Sequence, residues 1–202
     1  MNSENSKKLE IQLKLMNELE KNSEQSQRTI SKELNVALGF ANSLIKRLVK
    51  KGYLKLSEAP MKRYIYYLTP KGLVEKAKLT SEYIQNSLDF YKKTKEGYEK
   101  EFKRLKKKDN INLILAGTGE LAEIAILAAN IQDIKISYIF DPYSNLTSFC
   151  GIEVRKNIEK KEKDHTKNIF FLTESKNPQE VLHNLKKIKN QKIVIPKWLM
   201  IR

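Results

Sequence analysis

SQRTISKELNVALGFANSLIKRLVKKG, residues 26–52, has the apolar spacing of two short helices separated by a tight turn. Ser26 stands where an N-cap belongs, Ile30 and Leu34 follow at helical spacing, and Asn35-Val36-Ala37 interrupts the period. The apolar positions resume at Ala41, Leu44, Ile45, Leu48 and Val49, and Gly52 falls where a C′ glycine closes a helix. Lys46 and Arg47 make the second helix basic. Two short helices joined in this way predict a helix-turn-helix, with the second helix as the reading element.

The flanks extend the pattern. Upstream, SKKLEIQLKLMNELEKN (residues 6–22) places Leu9, Leu13, Leu15, Met16 and Leu19 on a broad helical face, which NSEQ ends. Downstream, YLKLS and YIYYLT are aromatic or branched runs of strand length joined by EAPMKR, which predicts a hairpin with Lys62 and Arg63 at its tip. TPKGLVEKAKL then opens a helix, with Thr69 as N-cap and Pro70 at the first helical position. Over residues 6–80 this order resembles the winged helix-turn-helix of MarR-type transcriptional regulators, and it is most similar to the subgroup associated with exopolysaccharide gene clusters. The resemblance implies a homodimeric regulator on double-stranded DNA, acting on polysaccharide or cell-envelope genes.

The residues expected at DNA are Arg28, Leu38, Phe40, Asn42, Ser43, Lys46, Arg47, Lys62 and Arg63. Asn42 and Ser43 have the chemistry to reach base edges, and Lys46 and Arg47 that to reach phosphates or guanine. Relatives usually begin the recognition helix with a small polar cap, whereas this chain has Ala37, followed by Leu38 and Phe40. Base reading is therefore expected to be partly apolar, directed at thymine methyl groups, unless Phe40 packs against the neighbouring helix.

Residues 79–108 contain no proline, and Ile84, Leu88, Tyr91, Lys95, Tyr98, Phe102 and Leu105 step alternately four and three apart. That heptad predicts a dimerisation seam made by Ile84, Leu88, Tyr91, Tyr98, Phe102 and Leu105; packing within a single domain is the other reading of the same stripe.

INLILAGTGELAEIA, residues 111–125, reads as a strand buried on both faces, a glycine turn and a helix. KISYIF, NIFFLTE, PQEVLHNLKKI and KIVIP continue the alternation, which predicts a small α/β domain with a mostly parallel sheet of about four main strands. Gly117, Thr118, Gly119, Glu120, Leu121 and Ala122 fit G-x-G-x-x-A, and Asp141 stands where an acid would meet a ribose. LILAGTGELAEIA with YIFDPYSNLTSFCGIEV is similar to the Rossmann-like domain of bacterial sugar acyltransferases. The order of winged helix before such a domain also resembles the Rex repressors. The first resemblance implies a nucleotide-sugar effector and the second NAD(H). A degenerate domain without a ligand, serving as a non-catalytic interaction module, is the further alternative, since Glu120 beside the turn would repel a pyrophosphate.

Composition sets the outer limits. Of a net charge of +15, residues 1–110 hold 25 Lys and Arg against 14 Asp and Glu, or +11, so the basic excess belongs to the first half. The chain has no long apolar run and no signal-like N-terminus, which predicts a cytoplasmic protein that does not enter a membrane. His165 and His183 lack metal-ligand or acid–base spacing and no nucleophile triad stands out, so neither a metal site nor catalysis is expected. The single cysteine, Cys150, is expected to pack internally. The expected layout is an α+β winged helix over 1–78, a linking and dimerisation helix over 79–109, and a Rossmann-like sensing domain over 110–202.

Overall fold

The computed structural model describes residues 3–59, 63–106, 111–158, 167–187 and 192–196. The chain divides into two compact units, residues 1–88 and 89–202. The division falls inside the long helix, whose last turns belong to the second unit's core. Among the described residues no helix is long and apolar enough to cross a membrane.

The first unit runs α1 (Ser3–Lys21), α2 (Gln27–Glu33), α3 (Leu38–Lys50), β1 (Leu54–Ala59), β2 (Arg63–Leu68) and the start of α4 (Pro70–Leu105). Its ends are set by local chemistry. Ser26 Oγ accepts the Thr29 amide at 3.1 Å and caps α2. Asn35, at φ 50°, makes the turn into α3. At the far end of α3, Gly52 takes φ 72°, its N–H reaches Val49 O at 2.9 Å, and the Tyr53 N–H reaches Leu48 O at 2.9 Å. Those two bonds form a Schellman motif, which satisfies carbonyls the helix end would otherwise leave bare. Thr69 Oγ1 accepts the Gly72 amide at 3.0 Å to cap α4 and donates to Gly52 O at 2.6 Å, so one hydroxyl joins the end of α3 to the start of α4. The junction is tight enough that a Cβ on Gly72 would lie 2.0 Å from Tyr53 O.

Leu13, Leu15, Met16, Leu19, Ile30, Leu44, Ile45, Leu48, Leu54 and Tyr66 form the core of this unit. β1 and β2 pair antiparallel from Leu54↔Leu68 to Ala59↔Arg63, which makes the hairpin the wing.

The second unit is built on a six-stranded sheet in the order β5-β6-β4-β3-β7-β8. Its strands are β3 (Ile111–Ala116), β4 (Tyr138–Phe140), β5 (Ser148–Phe149), β6 (Ile152–Arg155), β7 (Lys167–Leu172) and β8 (Lys192–Val194). All pairings are parallel except β5 with β6. The period-two alternation of β3 sends Leu113 and Leu115 to a face covered by α5 (Glu120–Ile131) and the end of α4. Ile114 and Ala116 go to the opposite face, under α6 (Pro178–Lys186). Burial on both faces explains why β3 reads as an unbroken apolar run.

Cys150 departs from the expected internal packing. It is exposed, because Cys150 at φ 49° and Gly151 at φ 77° form the two-residue turn of the β5–β6 hairpin, and a turn with both φ values positive points its side chain outward.

Candidate nucleic-acid interface

α3 divides cleanly by burial. Ala41, Leu44, Ile45 and Leu48 are at most 3% exposed and hold the helix to its unit. Gly39, Ser43, Lys46, Arg47 and Lys50 are exposed on the other side, and α3 contains no acidic residue. Arg47 leans toward α1, where its Nη2 lies 3.5 Å from the buried Gln12 Oε1, so part of its donor capacity is held at home. Lys46 and Lys50, one turn apart, are exposed on this face. Asn42 is half-buried with its Oδ1 out of solvent, which leaves Ser43 as the more accessible of the two polar readers.

The leading turn of α3 is apolar and open. Leu38 is 45% exposed and Phe40 40%, so Phe40 is not the packing residue it could have been. Ala37 offers no side-chain cap, as the sequence indicated. Arg28 is exposed on α2. Lys62 lies outside the described residues, and of Arg63 only its backbone place at the start of β2 is described.

The heptad stripe of α4 splits in two. Tyr98 and Phe102 are fully buried and Leu105 nearly so, all in the α/β core. Phe102 packs edge-on to Phe171 with ring centroids 5.0 Å apart, and the Tyr98 hydroxyl donates to Leu172 O at 3.3 Å; burial pushes this phenol's pKa well up. These three side chains are therefore withdrawn from the expected intersubunit seam, since a residue enclosed by its own sheet has no surface left for a partner. Ile84, Leu88 and Tyr91 are 52%, 48% and 37% exposed, with Leu73 and Val74 open on the same side of the helix.

The glycine turn lies at the carboxyl end of β3. Strands are added toward β4 on one side of β3 and toward β7 on the other, so the strand order reverses between β3 and β7, where open α/β sheets take ligands. A cleft of about 370 Å³ opens there, lined by Thr118, Asp141, Tyr143, Glu174, Lys176 and Glu180 among others. The turn, however, uses the donors of Gly117 and Thr118 internally. Gly117 N–H bonds Phe140 O at 2.9 Å. Thr118 N–H and Oγ1–H both donate to Asp141 Oδ2, at 2.9 and 2.7 Å, while Tyr143 and Ser144 amides donate to Oδ1 at 3.0 and 3.1 Å.

Asp141 is thus a brace under the turn, 6% exposed, and not an acid held out to a ribose. The physical reason is the loop after the three-residue β4, which curls back and delivers its amides to the carboxylate. Gly117 is required by contact as well as conformation: φ is 106°, and an added Cβ would lie 2.7 Å from Glu174 Cβ. Leu121 and Ala122 are buried in the core, which removes them from direct ligand contact. Gly119 has nothing within 4 Å of where a Cβ would be, and Glu120 is exposed at the start of α5. Glu180 beside the Tyr143 hydroxyl raises that phenol's pKa, and Asn184 Nδ2 donates to the same oxygen at 2.9 Å.

Residues 8–55 match the family model described as winged helix-turn-helix DNA-binding. The N-terminal unit is a winged helix-turn-helix. Among solved structures, the chain is similar to the PcaV transcriptional regulator from Streptomyces coelicolor in complex with its natural ligand. Identity there is 22%, over 39% of this chain and 57% of that one, with a TM-score of 0.37. For the PcaV structure described without that ligand the figures are 22%, 40%, 60% and 0.37. It is also similar to ZitR, a zinc-responsive MarR family member from Lactococcus lactis, at 15% identity over 61% of this chain and 73% of that one, with a TM-score of 0.35. The chain thus spans less than two thirds of the length of the PcaV structures. No curated protein matches the chain.

Several residues of these sites were not singled out from sequence. Lys50 follows Lys46 at one helical turn and was open to detection by spacing alone. Gly72 carries no local signal, because its need comes from Tyr53, nineteen positions earlier. Glu174, Lys176 and Glu180 join the cleft only once β7 is known to pair with β3.

Proposed function

We propose that this chain is a MarR-type transcriptional regulator that binds a two-fold site on double-stranded DNA as a homodimer. The observation that carries the reading is the outward face of α3, with Lys46, Arg47 and Lys50 exposed and no acid on the helix, in a module that matches a winged DNA-binding family. A duplex partner supports a cytoplasmic location. The resemblance over residues 6–80 supports polysaccharide or cell-envelope genes as targets, which sequencing of genomic fragments captured by the protein would check. Fluorescence anisotropy with duplex DNA tests the central reading: log K should fall with log salt by about 0.9 for each phosphate contact. No binding at low salt, or binding indifferent to salt, overturns it.

Dimerisation is supported by the exposed half of the α4 stripe, Ile84, Leu88 and Tyr91 with Leu73. Leu88→Asp should turn a sedimenting dimer into a monomer; a wild-type monomer at micromolar concentration overturns this part.

The α/β unit is proposed as the sensor, with the cleft at the strand reversal as its site. A nucleotide-sugar suits it better than NAD(H). Glu174 and Glu180 line the cleft beside the braced Asp141 carboxylate against one cation, Lys176, and this acidic lining favours an uncharged sugar there over a pyrophosphate. Phosphates would have to sit at the open side of Gly119. A thermal-shift screen of nucleotide-sugars, NAD and NADH decides between the classes, since a ligand at a hundred times its Kd adds about 2.7 kcal/mol. Gly119→Val should abolish the shift; no shift with any compound leaves the unit as an interaction domain.

A further inference from the structure

The leading turn of α3 holds an arrangement that salt-dependent phosphate binding does not use. Leu38 and Phe40 are exposed while Leu44, Ile45 and Leu48 are buried and Val49 partly so, so two sizeable side chains are left in water at the end of the element that should meet the bases. Between them, Gly39 has no side chain and nothing within 4 Å of where one would begin, which leaves the backbone there open to a partner. The Cα–Cβ bonds of a helix tilt toward its N-terminus, so both side chains project ahead of the turn that enters the groove. Ala37 adds no polar group, and Asn42, one turn on, is half-buried. The first polar readers with full access are Ser43 and the cations beyond it.

We infer that Leu38 and Phe40 are specificity-determining residues that read thymine through its C5-methyl group in the major groove, so that the preferred site carries thymines under the N-terminal turn of α3. In that groove the methyl group is the single apolar feature a base pair presents, and it distinguishes A·T from T·A without a hydrogen bond. The flanking Lys46 and Lys50 supply the attraction to the backbone that brings this turn into the groove. The inference rests on the regulator reading and deepens it.

The test selects preferred duplexes from a random library with the full chain, then replaces thymine by deoxyuridine one position at a time. Deoxyuridine removes the methyl group and leaves the pairing edges intact. Wild type should lose about three- to fourfold in affinity at each contacted thymine, the ratio expected for exposing one methyl-sized apolar group. Leu38→Ala and Phe40→Ala should bind the thymine site more weakly, keep the same thermal midpoint, and show no further loss with deoxyuridine at the position each side chain covers. Selected sites without thymine, wild-type binding indifferent to deoxyuridine, or variants that keep the full deoxyuridine penalty would overturn the inference while duplex binding itself stands. Absence of duplex binding by wild type would instead overturn the regulator reading on which it rests.

Discussion

α3 and the glycine turn before α5 are both helix beginnings, and they dispose of their polar groups in opposite ways. Around α3 the unit is held by Ala41, Leu44, Ile45 and Leu48, and its cations stay in solvent, with Arg47 alone reaching back to Gln12. At the glycine turn, part of what a ligand would need is taken by the fold: the amides of Gly117 and Thr118 go to Phe140 and Asp141, and Glu174 Oε1 accepts from Lys176 and Asn177. A helix face available to a partner is one whose packing is carried by other residues. A turn that satisfies itself can look the same in sequence and offer much less.

The contrast can be pressed hardest on α4, where one stripe has both fates. Phe102→Ala removes a ring fully enclosed by the second unit's core and should cost about 3–5 kcal/mol in urea unfolding. Leu88→Ala, on the same stripe, should change the stability of the dilute monomer by no more than about 0.5 kcal/mol and act only on assembly. Comparable costs at both sites would erase the distinction between the two halves.

The closed turn comes next. Gly117→Ala puts a Cβ against Glu174 at a positive φ and should cost about 2–3 kcal/mol by thermal or chemical denaturation. Asp141→Ala strands the Thr118, Tyr143 and Ser144 amides and should cost about 2 kcal/mol. A neutral Asp141→Ala would show that the carboxylate is not bracing the turn and would return it to the ligand.

The smallest structural effect belongs to the open face. Lys46→Ala and Lys50→Ala should leave stability within about 0.5 kcal/mol, yet each should flatten the salt dependence of duplex binding by about 1.8 in slope, about 0.9 for each subunit. A large loss of stability would mean that these lysines hold the fold.

Much of the first unit was legible because its punctuation is local. Ser26, Gly52 and the Thr69 cap with Pro70 each act within a few residues of where they stand, though Thr69 also reaches Gly52 O, and the core positions of α1 and α3 follow from helical spacing. The heptad of α4 put Tyr98, Phe102 and Leu105 on one stripe but did not say what covers them, since Tyr98 and Phe102 meet Phe171 only through the folded sheet. The α/β alternation was readable, while the reach of Asp141 depended on how a loop folds back, which the spacing of Gly117 and Asp141 does not encode. Short β5 and β6 were missed because each offers too few residues for a period, and with them the outward place of Cys150.

That cysteine makes the protein convenient to watch. It is the sole thiol in the sequence, exposed at the tip of a hairpin that leads into the amino end of β6. β6 runs parallel to β4, so the tip stands at the opposite end of the sheet from the cleft beside Asp141. A maleimide dye or spin label would therefore couple to one known position without any engineered substitution, and would report on the α/β unit during titration with an effector or a duplex while leaving its own cleft uncovered.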